Sequence, residues 1–163
     1  MARVIRFHEL GGPEKLQIEE LPTQQPGPGE VRLRVQAVGL NRAEALYVRG
    51  YYMEQPKLPS RIGYEAAGII EAAGPNVDPA WIGKKAATVP GFSMNRYGLL
   101  GEEAIVPARV LGEYPEKLSP VEAAAIWMQY MTAYGALVHF GKLRQGDFVI
   151  IPAASRCCGS ICR

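Results

Sequence analysis

Glu30-Val31-Arg32-Leu33-Arg34-Val35-Gln36-Ala37-Val38 alternates polar and apolar residues with period two, the pattern of a strand that buries one face. A Pro/Gly-rich connector, residues 22–29, leads into it. Upstream, residues 3–7 and 15–19 are short alternating segments parted by the turn signal Gly11-Gly12-Pro13. Downstream, residues 42–49 carry helix formers and stop at Gly50. Residues 66–73 form a small-residue and apolar run closed by Gly74-Pro75-Asn76, and residues 85–89 and 103–106 read as further short strands. Many short strands with Gly and Pro between them point to a partly closed barrel or a sandwich.

The character changes at Ser119-Pro120-Val121-Glu122, a helix start with Ser as cap, Pro at the first position and Glu three residues after the cap. From there to Phe140 apolar residues cover most of the helical circumference, which predicts a buried helix with Met131 in the core. Asp147-Phe148-Val149-Ile150-Ile151 reads as a buried, parallel-type strand. The expected class is mainly β with α (α+β), divided into residues 1–118 and 119–163.

Composition narrows the function. The 163 residues carry Lys+Arg 18 against Asp+Glu 16, a net of +2, with no basic run for nucleic acid to grip. No apolar run approaches the roughly 18 residues of a membrane-spanning helix, and the first residues lack the apolar centre of a signal peptide. A cytoplasmic protein with no membrane or nucleic-acid partner is expected. Cys157, Cys158 and Cys162 are the only cysteines, so no disulfide framework staples the body, and no His or fourth Cys lies near to complete a tetrahedral zinc set.

Gly63-Tyr64-Glu65-Ala66-Ala67-Gly68, continuing to Gly74-Pro75-Asn76-Val77, resembles the signature of the medium-chain dehydrogenases/reductases, G-H-E-x-x-G and its following small residues, with Tyr64 in place of the His. Gly27-Pro28-Gly29-Glu30-Val31, Val38-Gly39-Leu40-Asn41, Leu118-Ser119-Pro120, Met131-Thr132-Ala133-Tyr134 and Gly146-Asp147-Phe148-Val149-Ile150 follow in family order. The resemblance covers residues 1–155. In zinc-dependent members a Cys stands at Asn41 and a His at Tyr64. An amide and a phenol are poor zinc ligands, and the lobe with four cysteines is missing. The pattern therefore looks like the zinc-independent quinone oxidoreductase branch. That resemblance implies a GroES-like partly closed β-barrel followed by helices and the first strand of a Rossmann domain, which the chain leaves incomplete. It also implies hydride transfer from NADPH, or NADH, to a small-molecule quinone or enone.

Each candidate residue has a plainer reading beside this one. Asn41 precedes a short helix and suits an N-cap; the resemblance aims its amide at nicotinamide and substrate. Tyr52, favoured over Tyr51, is either a loop aromatic packed on the barrel or a substrate contact. Tyr64 either fills core or shapes the substrate pocket, and Glu65 reads as a structural carboxylate near the cleft. Gln129 is polar in an apolar helix and needs a partner if buried. Thr132 matches a nicotinamide-contacting position. His139 reads as a cap at a helix end. Pro152-Ala153-Ala154-Ser155 and Gly159 are what is present of a phosphate-binding turn, so Ser155 and Gly159 are cofactor candidates. The resulting expectation is a zinc-independent oxidoreductase with Asn41 and Tyr52 at the reacting centre and Tyr64 in the substrate pocket. Asn41, Gln129, Thr132, Ser155 and Gly159 would hold the cofactor. The isolated chain is expected to be inactive and to aggregate or form a homo-oligomer. The alternative is a non-catalytic GroES-like domain or truncated product acting as a binding module.

Overall fold

The computed structural model describes residues 1–151, and its spine is the strand that the alternation marks. Strands β1 (Ala2–Phe7), β2 (Gln17–Leu21) and β3 (Glu30–Gly39) come first, then helix α1 (Arg42–Val48). Strands β4 (Ser60–Arg61), β5 (Glu65–Ala73), β6 (Lys85–Thr88), β7 (Glu103–Pro107) and β8 (Leu111–Glu113) follow, with α2 (Pro120–Ala123) and α3 (Trp127–Tyr134) after them. β3 lies between β5 and β7, antiparallel to both, in a sheet of order β7-β3-β5-β6-β8. A second sheet runs β2-β1-β4. Backbone bonds from Ile5 to Leu100 and from Glu102 to Arg3 stitch the two together, so the sheets curl around a shared interior. The expectation of a β-rich α+β body holds.

The alternation of β3 does the burying. Val31 and Leu33 are fully buried, packing with Ile70, Leu99 and Val106, while Arg32 and Arg34 reach Glu71 on the other face. Register shifts between Arg32 and Leu33 and between Val35 and Ala37 twist the far half of the strand, and Val38 is left 40% exposed. β5 can lie this close to β3 because of Gly68: a Cβ there would sit 2.0 Å from the Arg34 carbonyl oxygen. A second cluster of Phe7, Tyr47, Ile62, Tyr64, Met94 and Leu100 fills the space between α1 and the β2-β1-β4 sheet.

Two expectations for the last part of the described chain need correction. Instead of one buried helix over residues 119–140, there is one turn of α2, a break over residues 124–126, α3, and a π-helical segment, Gly135–Phe140. Ala123, Ala124 and Trp127 pack on the body, but Met131 is 48% exposed, Tyr134 58% and Phe140 80%. Residues 147–151 form no strand, and Phe148 is 99% exposed. These residues are apolar, but burial needs a partner surface, and a parallel strand needs neighbours to satisfy its backbone. Neither exists among the described residues.

Candidate functional site

Asn41 lies two residues past the end of β3 and is the N-cap of α1, in the extended backbone typical of that position. Its backbone N–H donates to Glu44 Oε2 at 2.8 Å, the back-reaching half of a capping box, and Glu44 Oε1 accepts from the Tyr64 N–H at 3.0 Å. The Asn41 side chain is engaged elsewhere: Nδ2 donates to Glu65 Oε2 at 2.9 Å. Glu65 Oε1 in turn accepts from the Met128 N–H at 2.7 Å, at the start of α3. Two almost completely buried carboxylates thus bracket Asn41 and tie the end of β3, the start of β5 and α3 into one unit. Burial pushes the Glu44 carboxyl above the usual carboxylate range, against its bonds from backbone N–H groups.

Next to this unit an aromatic row crosses the molecule. Tyr47, Tyr52, Tyr64, Phe92 and Tyr97 follow one another at centroid spacings of 6.4, 6.1, 5.5 and 6.1 Å, at steep angles typical of edge-to-face packing. Tyr52, Tyr64, Phe92 and Met128 open onto a cleft of about 590 Å³ whose other walls are Pro90, Gly91, Ser93 and Arg109. Tyr52 turns inward, whereas Tyr51 is 78% exposed. Burial, helped by Tyr52, pushes the Tyr64 phenol well above its ordinary value, so at neutral pH its Oη keeps its proton and can donate.

The sequence candidates divide. Tyr52 and Tyr64 share the cleft. Asn41 does not line it; it faces a neighbouring apolar groove with Leu16, Leu40 and Ile62 and connects to the cleft through Glu65 and Met128. Gln129 is half-buried, one residue beyond Met128. Thr132 is exposed and its Oγ1 donates to the Met128 carbonyl at 2.6 Å, within its own helix. His139 stacks edge-on against Phe140. Ser155, Gly159 and the three cysteines lie outside the described residues. Sequence reasoning passed over Glu44, Phe92 and Arg109. Glu44 was legible, since Asn41-Arg42-Ala43-Glu44 has capping-box spacing; Phe92 and Arg109 lie in loops and turns without a pattern.

The donor set does not match zinc. The Asn41 amide is committed to Glu65, the Tyr64 phenol holds its proton, and zinc takes thiolate, imidazole or carboxylate. No group of three His, Cys, Asp or Glu side chains converges among the described residues. For a nicotinamide cofactor the fit is partial. The cleft offers aromatic and thioether faces to a flat ring. The dinucleotide's phosphates find no free helix start among the described residues: Glu44 caps Asn41, Glu122 caps Ser119, and Glu65 holds the Met128 N–H.

Comparison with known proteins agrees with this architecture. The chain is 37% identical over 148 residues to a synaptic vesicle membrane protein VAT-1 homolog of Rattus norvegicus, covering 90% of this chain and 35% of that protein. It is 33% identical over 156 residues to a human quinone oxidoreductase, covering 95% and 46%. A mycobacterial protein solved in complex with NADPH superimposes with a TM-score of 0.84 at 26% identity, over 99% of this chain and 47% of that one. The chain therefore spans between about a third and a half of these relatives. No helix among the described residues is long and apolar enough to cross a membrane. Residues 27–139 match the alcohol dehydrogenase GroES-like domain, and with the curled sheets and the Gly63–Gly68 signature around them, the chain belongs to that family, in the medium-chain oxidoreductase group that includes the quinone oxidoreductases.

Proposed function

We propose that this chain forms the acceptor-binding part of a zinc-independent, NADPH-dependent oxidoreductase of the cytoplasm that reduces a quinone or an activated alkene. The observation that carries the reading is the aromatic cleft, with a protonated tyrosine, built on the Glu65 unit that joins β5 to α3. Bound NADPH supplies a hydride, and a proton from water completes reduction of the acceptor. The chain's own residues position and polarise. Tyr52 and Phe92 offer ring faces to a flat conjugated acceptor, and Tyr64 Oη donates a hydrogen bond to the oxygen on which negative charge develops. Glu65 keeps Asn41 and the start of α3 in fixed relation, so Gln129 and Thr132 approach the cofactor from one rigid element. The phosphates would be held by residues beyond those described, Ser155 and Gly159 among them. Residues 1–118 act as the acceptor domain and residues 119–163 as the start of the cofactor domain.

Titrating the purified chain with menadione, followed by tyrosine and tryptophan fluorescence, tests the acceptor site. Saturable quenching is expected, weakened at least severalfold in Tyr52→Leu while the melting temperature moves little. Absence of saturable binding overturns the reading.

A further inference from the structure

The aromatic cleft does not end at its own walls. A second hollow of about 450 Å³, lined by Arg96, Tyr97, Asn76 and Pro107, adjoins it, and Arg109 lines both. Arg109 belongs to the 3-10 turn Ala108–Val110 directly after β7, anchored on both sides: the Ala108 N–H donates to the Gly29 carbonyl and the Val110 carbonyl accepts from the Val89 N–H. The charged groups around it are accounted for, except Arg109 itself. Glu30 accepts from Tyr97 Oη at 2.7 Å and from the Gly27 N–H at 3.0 Å, and it pairs with Arg96 at 3.3 Å. Glu54, behind the cleft, accepts from Ser93 Oγ, from the Met94 N–H at 3.2 Å and from Asn95 Nδ2 at 3.0 Å. Among the described residues Arg109 forms no ion pair.

A cleft whose walls are otherwise aromatic, apolar or neutral, with one uncompensated guanidinium where it meets a second hollow, is shaped for a ligand with a flat head and an anionic arm. We propose that the acceptor carries a carboxylate. Its conjugated head lies among Tyr52, Tyr64 and Phe92, and its carboxylate meets Arg109 at the junction with the second hollow. Arg109 is then a specificity-determining residue, since a guanidinium offers a planar pair of donors that a carboxylate matches and an ester does not. This rests on the acceptor-site reading above and narrows it to one chemical class.

Two probes separate the two ideas: a naphthoquinone bearing a propionate arm, and its methyl ester. Titrated by fluorescence into the purified chain, the acid is expected to bind roughly tenfold more tightly, the scale of one charge-assisted contact. That preference should shrink as salt screens the exposed guanidinium. In Arg109→Gln the acid should fall to the affinity of the ester, with the ester unchanged. Arg109→Lys should keep part of the preference, and its retention shows that the turn still folds. Equal binding of acid and ester by the unaltered chain overturns the carboxylate proposal and leaves the quinone site standing. So does a preference that survives Arg109→Gln. Binding of neither probe overturns both.

Discussion

Leu33 and Phe148 are both apolar residues in strand-like sequence, yet Leu33 is fully buried and Phe148 is 99% exposed. The contrast extends to their regions. Residues up to Tyr114 fold around three apolar clusters in two sheets, and α2 closes the last of these with Ala123 and Ala124. Beyond Met128 the chain is as apolar but has no described surface to cover it. The difference is a matter of partners, since hydrophobic stabilisation is proportional to area removed from water, about 25 cal/mol per Å². The two regions meet at Met128: its N–H donates to Glu65 Oε1, and its side chain packs against the cluster around Tyr64.

The sharpest way to break the contrast is to remove equal kinds of side chain from each region. Ile70→Ala, in the fully buried sheet core, should lose about 2–5 kcal/mol of unfolding free energy in urea. Phe140→Ala, at 80% exposure, should stay within about 0.5 kcal/mol. A loss at Phe140 comparable with that at Ile70 would mean that the exposed face is covered in solution, for instance by a second copy, and a shift in sedimentation with concentration would accompany it.

The junction comes next in size. Glu65→Ala leaves the Asn41 amide and the Met128 N–H without their acceptor in a buried place, a cost of about 2–3 kcal/mol. Hydrogen exchange should then accelerate across residues 128–134 while β3 amides, bonded to both neighbouring strands, keep their protection. Uniform acceleration through β3 and α3 would show that the two regions open as one.

The smallest effect lies in the body alone. Tyr97, chiefly, with the Gly27 N–H and Arg96, holds the half-buried Glu30 carboxyl below the usual carboxylate range. A depressed folded-state value adds stability above the unfolded-state value and loses it as pH falls through the folded one. Tyr97→Phe should therefore cost about 1 kcal/mol near neutral pH, and the gap to the unaltered protein should narrow in acid, below the ordinary carboxylate pKa. A gap independent of pH would assign the loss to ring packing with Phe92 instead of to Glu30.

How legible all this was depends on range. Period-two alternation marked β3, and Gly50 marked the end of α1, because side-chain direction and backbone preference are local properties. β4, only two residues long, and β8, only three, carry no such pattern; pairing with β1 and β6 makes them strands. At the site, Asn41, Tyr52 and Tyr64 were visible through the resemblance, but the split between Asn41's groove and the tyrosines' cleft was not. That split follows from Glu65 capturing the amide of a residue 24 positions away, a contact that no local rule anticipates.

By itself, then, the sequence determined the β-rich class, the places of the longer strands and of α1, and the presence of an amide at Asn41 and a phenol at Tyr64, all of which are written in residue type and spacing. Only the tertiary structure decided which apolar residues became core and which stayed in water, that Glu44 and Glu65 bracket Asn41, and that Arg109 closes an aromatic cleft. Burial, charge compensation and cleft shape are properties of surfaces brought together from distant parts of the chain, and those surfaces exist only once the sheets have paired.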